Sequence, residues 1–327
     1  MSLLVKASSP GKVILSGEYA VLDKAPAICM AVNCRAEVII EKCNNGISRV
    51  ESSGYHSKKG EFEFLEKGIL WRDGQESFAV IDAVWQVIDN YVPINQKINL
   101  NTIAFVDEYC NKKLGLGSSA AIIVALIAAV KKCDDLKKIK ILAHQAHKKL
   151  QGGLGSGVDI ATSLYGGLLE FQIENFTTKS LSWPDGLCYR LIWTGSSAST
   201  KDKLRRFFGG RDKSSRRELI DASKIMAAHW QNSDAEKILA GYVDYCKSLY
   251  DFSCDYNLGI FQMGHEELFQ EAKKKNLIYK PCGAGGGDIG ILLGLNSEEL
   301  DKFCSSMSKS FKKLDYKLSI DGVRIEV

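Results

Sequence analysis

Between residues 110 and 130 the chain carries the pattern that most limits how it can fold. Two closely spaced glycines, Gly115 and Gly117, are followed by Ser118-Ser119 and then by a run to Val130 without a single charge. The charge-free stretch, residues 114–130, is bracketed by Lys112-Lys113 and Lys131-Lys132. A bilayer core needs about 20 apolar residues, and the truly apolar part here runs only from Ala120 to Val130. The pattern predicts a buried helix that starts at Ser118 behind a glycine loop. Glycines let a backbone approach a phosphate closely, and unpaired amides at a helix N-terminus supply donors and a favourable dipole. Gly115, Leu116, Gly117, Ser118, Ser119 and Ala120 are therefore candidates for holding nucleotide phosphates. Ser118 or Ser119 can also cap the helix and offer a hydroxyl to a phosphate-bound magnesium. A capped helix with no ligand fits the same letters. No G-K-[S/T] occurs in the chain, so this is not a Walker A loop.

Two further segments share this character. Ser9-Pro10-Gly11-Lys12 places a cation beside a tight turn, and residues 281–288 read P-C-G-A-G-G-G-D. Five residues without bulk in a row are rare in a strand or helix; such a run lets a ligand or another backbone come close. Asp288 then leads directly into an apolar, strand-like segment. Taken singly, Lys12 after Pro-Gly is a solvated loop residue, and Asp159, in G-S-G-V-D, is a turn or cap residue.

Around these loops the apolar periodicity alternates between two and 3.6 residues. Strands are expected over residues 12–15, 27–41, 61–71, 98–106, 168–173, 187–193 and 289–293, with a hairpin-like break at Asn44-Asn45-Gly46. Helices are expected over 78–92 and 138–150, through most of 218–275, and over 297–313 with Ser297 as cap, while a second glycine-rich segment, 152–157, leads into residues 158–164. The polar stretch 175–186 suggests a domain boundary, and the basic stretch 201–217 suggests a mobile or solvated segment. A closing strand pair, 317–320 and 323–327, is expected to turn at Asp321-Gly322. The mix predicts an α+β fold.

Composition removes several function classes. A net charge of +4, from 43 basic and 39 acidic residues in 327, is too mild for a nucleic-acid binder. The ten cysteines form no C-x-x-C pair, which argues against a zinc ribbon or a thioredoxin-like motif. The first twelve residues lack the apolar run of a secretory signal, so scattered thiols imply a reducing, cytoplasmic setting. His144 and His147 are one helical turn apart, but no third ligand accompanies them, and surface or packing roles are expected.

Three segments together carry a family resemblance: S-P-G-K-V-I-L-S-G-E-Y-A-V-L (9–22), K-L-G-L-G-S-S-A-A (113–121) and G-A-G-G-G-D (283–288). They are similar, in order and separation, to the three motifs of the GHMP kinase superfamily. The resemblance implies a two-domain α+β fold: a ribosomal protein S5 domain 2-like N-terminal domain over residues 1–180, and a ferredoxin-like domain over 181–327. The site would lie in the cleft between them. It also implies ATP and magnesium as cofactors, with Lys12 and Asp159 catalytic and side by side. Glu18-Tyr19 and Gly287-Asp288 resemble the phosphomevalonate kinases within the superfamily, as do W-T-G-S-S-A-S-T (193–200) and G-S-G-V-D-I-A-T-S-L-Y-G-G (155–167). That subfamily likeness implies 5-phosphomevalonate as acceptor. Glu18, Tyr19, Ser156, Ser196, Ser199, Gly285, Gly286 and Asp288 would then be its substrate-side residues. Mevalonate kinases carry a magnesium-binding glutamate on the helix before the aspartate; here Lys148 stands near that point and residues 138–148 hold no carboxylate. Mevalonate kinase, diphosphomevalonate decarboxylase and a non-catalytic metabolite sensor are the rival readings. No nucleic-acid or membrane partner is expected, and a homodimer stays open.

Overall fold

The structure is a computed structural model that describes residues 3–43, 46–54, 58–65, 68–88, 95–132, 134–153, 155–198, 200–210 and 212–326. Its elements in chain order are β1 (Leu3–Ser16), β2 (Ala27–Lys42), β3 (Ser48–Ser53), β4 (Lys58–Phe64), β5 (Ile69–Asp73), α1 (Ala79–Trp85) and β6 (Gln96–Asn101). Then come α2 (Ser118–Lys131), α3 (Leu136–Leu150), α4 (Val158–Tyr165), β7 (Leu168–Gln172), β8 (Thr177–Leu181) and β9 (Cys188–Trp193). The remainder is α5 (Thr200–Gly209), α6 (Ser214–Gln231), α7 (Ala235–Asp255), α8 (His265–Lys274), β10 (Ile278–Pro281), β11 (Ile289–Gly294), α9 (Ser297–Ser306), β12 (Lys312–Leu314) and β13 (Arg324–Glu326).

Among the described residues β1 to β8 and β13 form a nine-stranded sheet whose main path is β13-β1-β2-β6-β3-β4-β5. Strand β2 is long enough to serve two neighbours, pairing with β6 through residues 37–42 and with β7 through residues 27–30. A second, four-stranded antiparallel sheet has the order β10-β11-β9-β12. The chain passes from the first sheet to the second between β8 and β9, and its C-terminus returns to the first, where β13 pairs with β1.

Helix α2 lies on β1 and β2 and is flanked by α1, α3 and α4. Neighbours on all sides explain why its sequence lacks a polar face. Ile123, Val124, Leu126 and Ile127 are fully buried, each contributing roughly 1.5–3 kcal/mol of hydrophobic stabilisation. The expected buried helix is therefore present with its start at Ser118. Among the described residues no helix is long and apolar enough to cross a membrane.

Several local expectations fail for identifiable reasons. The strand expected over 61–71 is a hairpin, β4 and β5, and the register shift at Glu61/Phe62 lets Phe62 pair with Trp71. The strand expected over 98–106 stops at Asn101; a 3-10 turn over Ile103–Phe105 then drops Phe105 into the core. The polar stretch 175–186, where a domain boundary is expected, holds β8, which pairs with β7, and the change of sheet follows directly after it.

The basic segment 201–217 is not a solvated tether. It forms α5 and the start of α6, because Phe207 is buried and Arg216 reaches back to Asp23 at 2.5 and 2.7 Å. Helix α9 is capped by Asn296, whose side chain accepts from the amides of Glu298 and Glu299, not by Ser297. The closing segments do not pair with each other: in 317–320 Leu318 bridges Val32, and in 323–327 strand β13 joins β1. Helix α1 ends at Trp85; residues 89–94, like Asn44-Asn45 of the expected hairpin, lie outside the described residues.

Candidate active site

Lys12 sits on β1 immediately after a register shift at Pro10/Gly11. Its amide donates to the Leu116 carbonyl at 2.8 Å, which ties the strand to the second glycine loop. A Cβ on Gly117, where φ is +82°, would lie 3.0 Å from Lys12 Cγ and 3.1 Å from Cε. The glycine is thus the space through which the lysine passes. Among the described residues no carboxylate lies within ion-pair distance of the Lys12 ammonium. Helix α2 begins directly beyond. Gly117 is its N-cap without a side-chain capping bond, and the Ala121 amide makes the first bond into the helix, to the Gly117 carbonyl. The amides ahead of Ala121 form the donor set that suits an anion.

Asp159 occupies the first turn of α4, behind Gly157 at φ +84°. Its Oδ1 accepts from the Ile160 amide at 3.1 Å, and its Oδ2 lies 3.6 Å from His147 Nε2. The same imidazole nitrogen is 3.5 Å from Ser119 Oγ and 3.1 Å from Gln151 Nε2. His147 is buried, so α3 contributes a polar cluster to this face that the motifs do not contain. The i, i+4 placement of His147 and Gln151 on one helical face was the available sequence signal. His144, by contrast, packs edge-on against Phe176 as expected. The Cys29 thiol also lies within reach of both charges. Burial pushes it up to about 12; a bond from Thr162 and the Lys12 charge oppose this, and the Asp159 charge adds to it. It is therefore an inert thiol.

The third glycine loop faces this assembly. Asp288 adopts φ +61°, and a Cβ on Gly115 would lie 2.3 Å from Asp288 Cβ. Only a glycine at 115 permits that contact. Asp288 Oδ1 accepts from the Ala198 amide at 3.1 Å, and the Asp288 amide donates to the Ser196 carbonyl at 2.6 Å. Burial raises the Asp288 carboxyl above its ordinary value, against the Ala198 amide and the charges of Lys12, Lys203 and Lys113.

Between the two faces lies a cavity of about 290 Å³. Lys12, Gly115, Leu116, Gly117, Ser118, Ser119, Ser156, Asp159 and Asp288 all line it, as do Glu18 and Tyr19. Glu18 is committed to a buried ion pair with Lys280 Nζ at 2.5 Å and also accepts from Tyr245 Oη. Tyr19 donates to the Ala284 carbonyl at 2.9 Å, and burial raises its phenol, with Glu18 adding to the effect. Ala120 is fully buried beneath the loop and does not reach the cavity. Ser197 and Ala198 line it where Ser196 does not, and Ser199 lies outside the described residues. Gly285 and Gly286 do not line it either. A Cβ on Gly285 would meet Ile260, and one on Gly286 would meet Lys203, so these glycines accommodate protein.

For a magnesium ion, the described residues hold no cluster of three or more His, Cys, Asp or Glu side chains. The serine hydroxyls at the start of α2 are hard oxygen donors, which suit an ion held chiefly by nucleotide phosphates and water.

The sequence family described as GHMP kinases N terminal domain matches residues 80–167, which include the second glycine loop and Asp159. A mevalonate kinase of Thermococcus sibiricus is 28% identical, over 98% of this chain and 98% of its own. A phosphomevalonate kinase of Streptomyces sp. is 26% identical, over 87% of this chain and 88% of its own. The solved structure of Streptococcus pneumoniae phosphomevalonate kinase in complex with phosphomevalonate and AMPPNP superposes with a TM-score of 0.79 at 17% identity, covering 96% of this chain and 99% of that one. Its fold is therefore this fold. The matched domain, the full-length relatives and the shared architecture all point one way: residues 80–167 carry a GHMP kinase N-terminal domain, and the chain as a whole is similar to mevalonate and phosphomevalonate kinases.

Proposed function

We propose that the protein transfers the γ-phosphoryl group of ATP to the phosphate of 5-phosphomevalonate, giving ADP and 5-diphosphomevalonate. An acceptor phosphate oxygen forms the new P–O bond as the bond to the departing ADP breaks. Residues 1–180 would form the unit that holds ATP and 181–327 its partner, a division supported by the change of sheet between β8 and β9.

Phosphoryl transfer is chiefly positioning and charge neutralisation. The amides ahead of Ala121, with Ser118 and Ser119, would bind the nucleotide phosphates. Magnesium, when bound there, would neutralise phosphate charge. Lys12 would contact the transferring group and stabilise the charge that shifts in the transition state. Lys12 and Asp159 line the same cavity but are not paired side by side as the resemblance implied, so Asp159 would act on Lys12 through its charge across the cavity rather than by a direct bond. It has little work as a base, because a phosphate monoester has a second pKa of about 6 and is already largely dianionic at pH 7. Lys113, which also lines the cavity, adds a second cation for a doubly charged acceptor.

The observation that carries this reading over mevalonate kinase is the composition of α3. The side chain it sends toward Ser119 and Asp159 is His147, with Gln151 just beyond the helix bonded to it, and no carboxylate stands near Lys148, where the mevalonate kinase pattern calls for a metal-binding glutamate. The second reading, mevalonate as acceptor, is favoured by the full-length similarity to mevalonate kinases. A coupled assay of ADP release with mevalonate, 5-phosphomevalonate and 5-diphosphomevalonate, with carbon dioxide monitored, separates them. Turnover confined to 5-phosphomevalonate without carbon dioxide supports the proposal. Turnover on mevalonate moves it to the second reading, and turnover on neither defeats both.

A further inference from the structure

Beneath the third glycine loop, three backbone carbonyls converge on one ammonium. Lys203, on α5, donates from Nζ to the carbonyl oxygens of Gly285 at 2.7 Å, Ala284 at 3.3 Å and Gly259 at 3.3 Å. Neither Lys203 nor Gly285 nor Gly286 lines the cavity, whereas Gly283, Ala284 and Asp288 of the same loop do. A Cβ at Gly286 would stand 2.1 Å from Lys203 Nζ and 2.7 Å from the Gly259 carbonyl. The bare glycine thus makes room for the lysine. Other polar groups of the loop are held as well: His265 Nε2 bonds the Gly287 carbonyl at 2.8 Å, and the Gly286 amide donates to the Ile260 carbonyl at 2.7 Å.

Carbonyl oxygens brought together repel one another unless a cation sits among them, which is how rings of backbone carbonyls replace the hydration shell of potassium. Among the described residues no carboxylate pairs with Lys203 at ion-pair distance. Burial lowers its amine to about 8; Asp288 opposes that shift and Arg206 adds to it. The ammonium is kept in this half-buried place by carbonyl dipoles rather than by a counter-ion.

We propose that Lys203 is a positioning residue whose ammonium acts as a built-in monovalent cation, gathering the carbonyls of Gly259, Ala284 and Gly285 and thereby setting the cavity-facing side of the third glycine loop. Without the charge, the carbonyls separate, Ala284 and Asp288 shift, and the acceptor binds less tightly. The kinase reading enters only through the kinetic readout.

Lys203→Ala removes the ammonium and leaves the three carbonyl groups available to another cation. Wild type, Lys203→Ala and Lys203→Met would be compared in choline chloride, potassium chloride and ammonium chloride at one ionic strength, by acceptor KM and by thermal midpoint. In choline the alanine variant is expected to raise KM about tenfold, the order of a lost charged hydrogen bond, with kcat less affected. Potassium or ammonium should restore most of that loss and raise the variant's thermal midpoint, while wild type responds equally to all three salts. Lys203→Met, whose side chain fills the cage, should stay impaired in every salt. An alanine variant equal to wild type in choline overturns the proposal. So does a deficit of the same size in all three salts, failure to fold included. If wild type turns over no acceptor, the functional reading fails, and the salt dependence of the thermal midpoint still decides the role of Lys203.

Discussion

On the β1–α2 side of the cavity, the inward-facing groups come from short contiguous segments: Lys12 with its neighbouring glycine, then Gly115 to Ser119, then Asp159 at the start of α4. On the β10–β11 side, the third glycine loop is shaped by residues scattered through the chain. Tyr19 and Lys203 hold the Ala284 carbonyl, His265 holds Gly287, and Asp288 is bonded to Ser196 and Ala198. The first face presents donors that a helix N-terminus supplies by local geometry. The second must be held in place by buried polar groups, each of which costs free energy if its partner is lost. Substitutions on the first face should therefore remove activity and spare the fold, whereas those behind the second should act through stability and acceptor binding.

The largest expected effect is on the first face. Lys12→Met should lower kcat by about a thousandfold, the scale of losing one charge-stabilising group, with an unchanged thermal midpoint. If 5-phosphomevalonate is the acceptor, Asp159→Asn should lose much less. Equal losses in the two variants, measured as kcat under saturation, would instead show that Asp159 serves as the base for an alcohol.

Next comes the support of the second face. Glu18 and Lys280 are both fully buried and bonded to each other. Removing one partner of such a pair costs about 3–5 kcal/mol. Glu18→Gln should show that loss in denaturant unfolding, and Glu18→Gln with Lys280→Met should recover part of it. A loss under about 1 kcal/mol, the level of an exposed pair, would erase the proposed difference between the faces.

Gly115→Ala tests the point where the faces touch, since its side chain would collide with Asp288 at a positive φ. A cost of about 1–3 kcal/mol is expected for the strained backbone, accompanied by weaker nucleotide binding in calorimetry. Stability loss without a change in binding would mean that the contact is structural only.

The smallest effect concerns Asp107, which precedes the second glycine loop and bonds Lys312 on β12 at 2.8 Å. Burial would raise its carboxyl, but the Lys312 ammonium and the Cys110 and Tyr109 groups outweigh burial and hold it down to about 2. A carboxylate depressed in the folded state stabilises above its unfolded value near 3.8 and loses that contribution as pH falls through about 2. Asp107→Asn should accordingly be less stable than wild type at pH 7 and converge with it toward pH 2 in pH-dependent unfolding. A gap that persists undiminished to pH 2 would assign the effect to packing.

The letters of the chain were most legible where structure depends on near neighbours. The start of α2 at Ser118, the end of β1 over residues 12–15 and the strands β2, β7, β9 and β11 all follow from glycine placement and apolar periodicity, signals carried within a few residues. The cluster of His147, Gln151 and Asp159 was not legible, because its members meet only when α3 and α4 pack. The segment 201–217 misled for a related reason. Its charge suggested solvation, but Phe207 packs against Tyr19, 5.9 Å between ring centroids, and Arg216 pairs with Asp23. No local pattern announces contacts made across nearly two hundred residues.

By itself the sequence determined the α+β class, the buried helix behind the second glycine loop, and the family that its three motifs resemble. Tertiary structure alone decided why Gly115, Gly285 and Gly286 carry no side chain: each faces a different distant group, Asp288, Ile260 and Lys203. It also decided that Glu18 is neutralised by Lys280 rather than free for a ligand. Glycine spacing records that something must come close, while the identity of what comes close depends on which strands and helices the whole chain brings together.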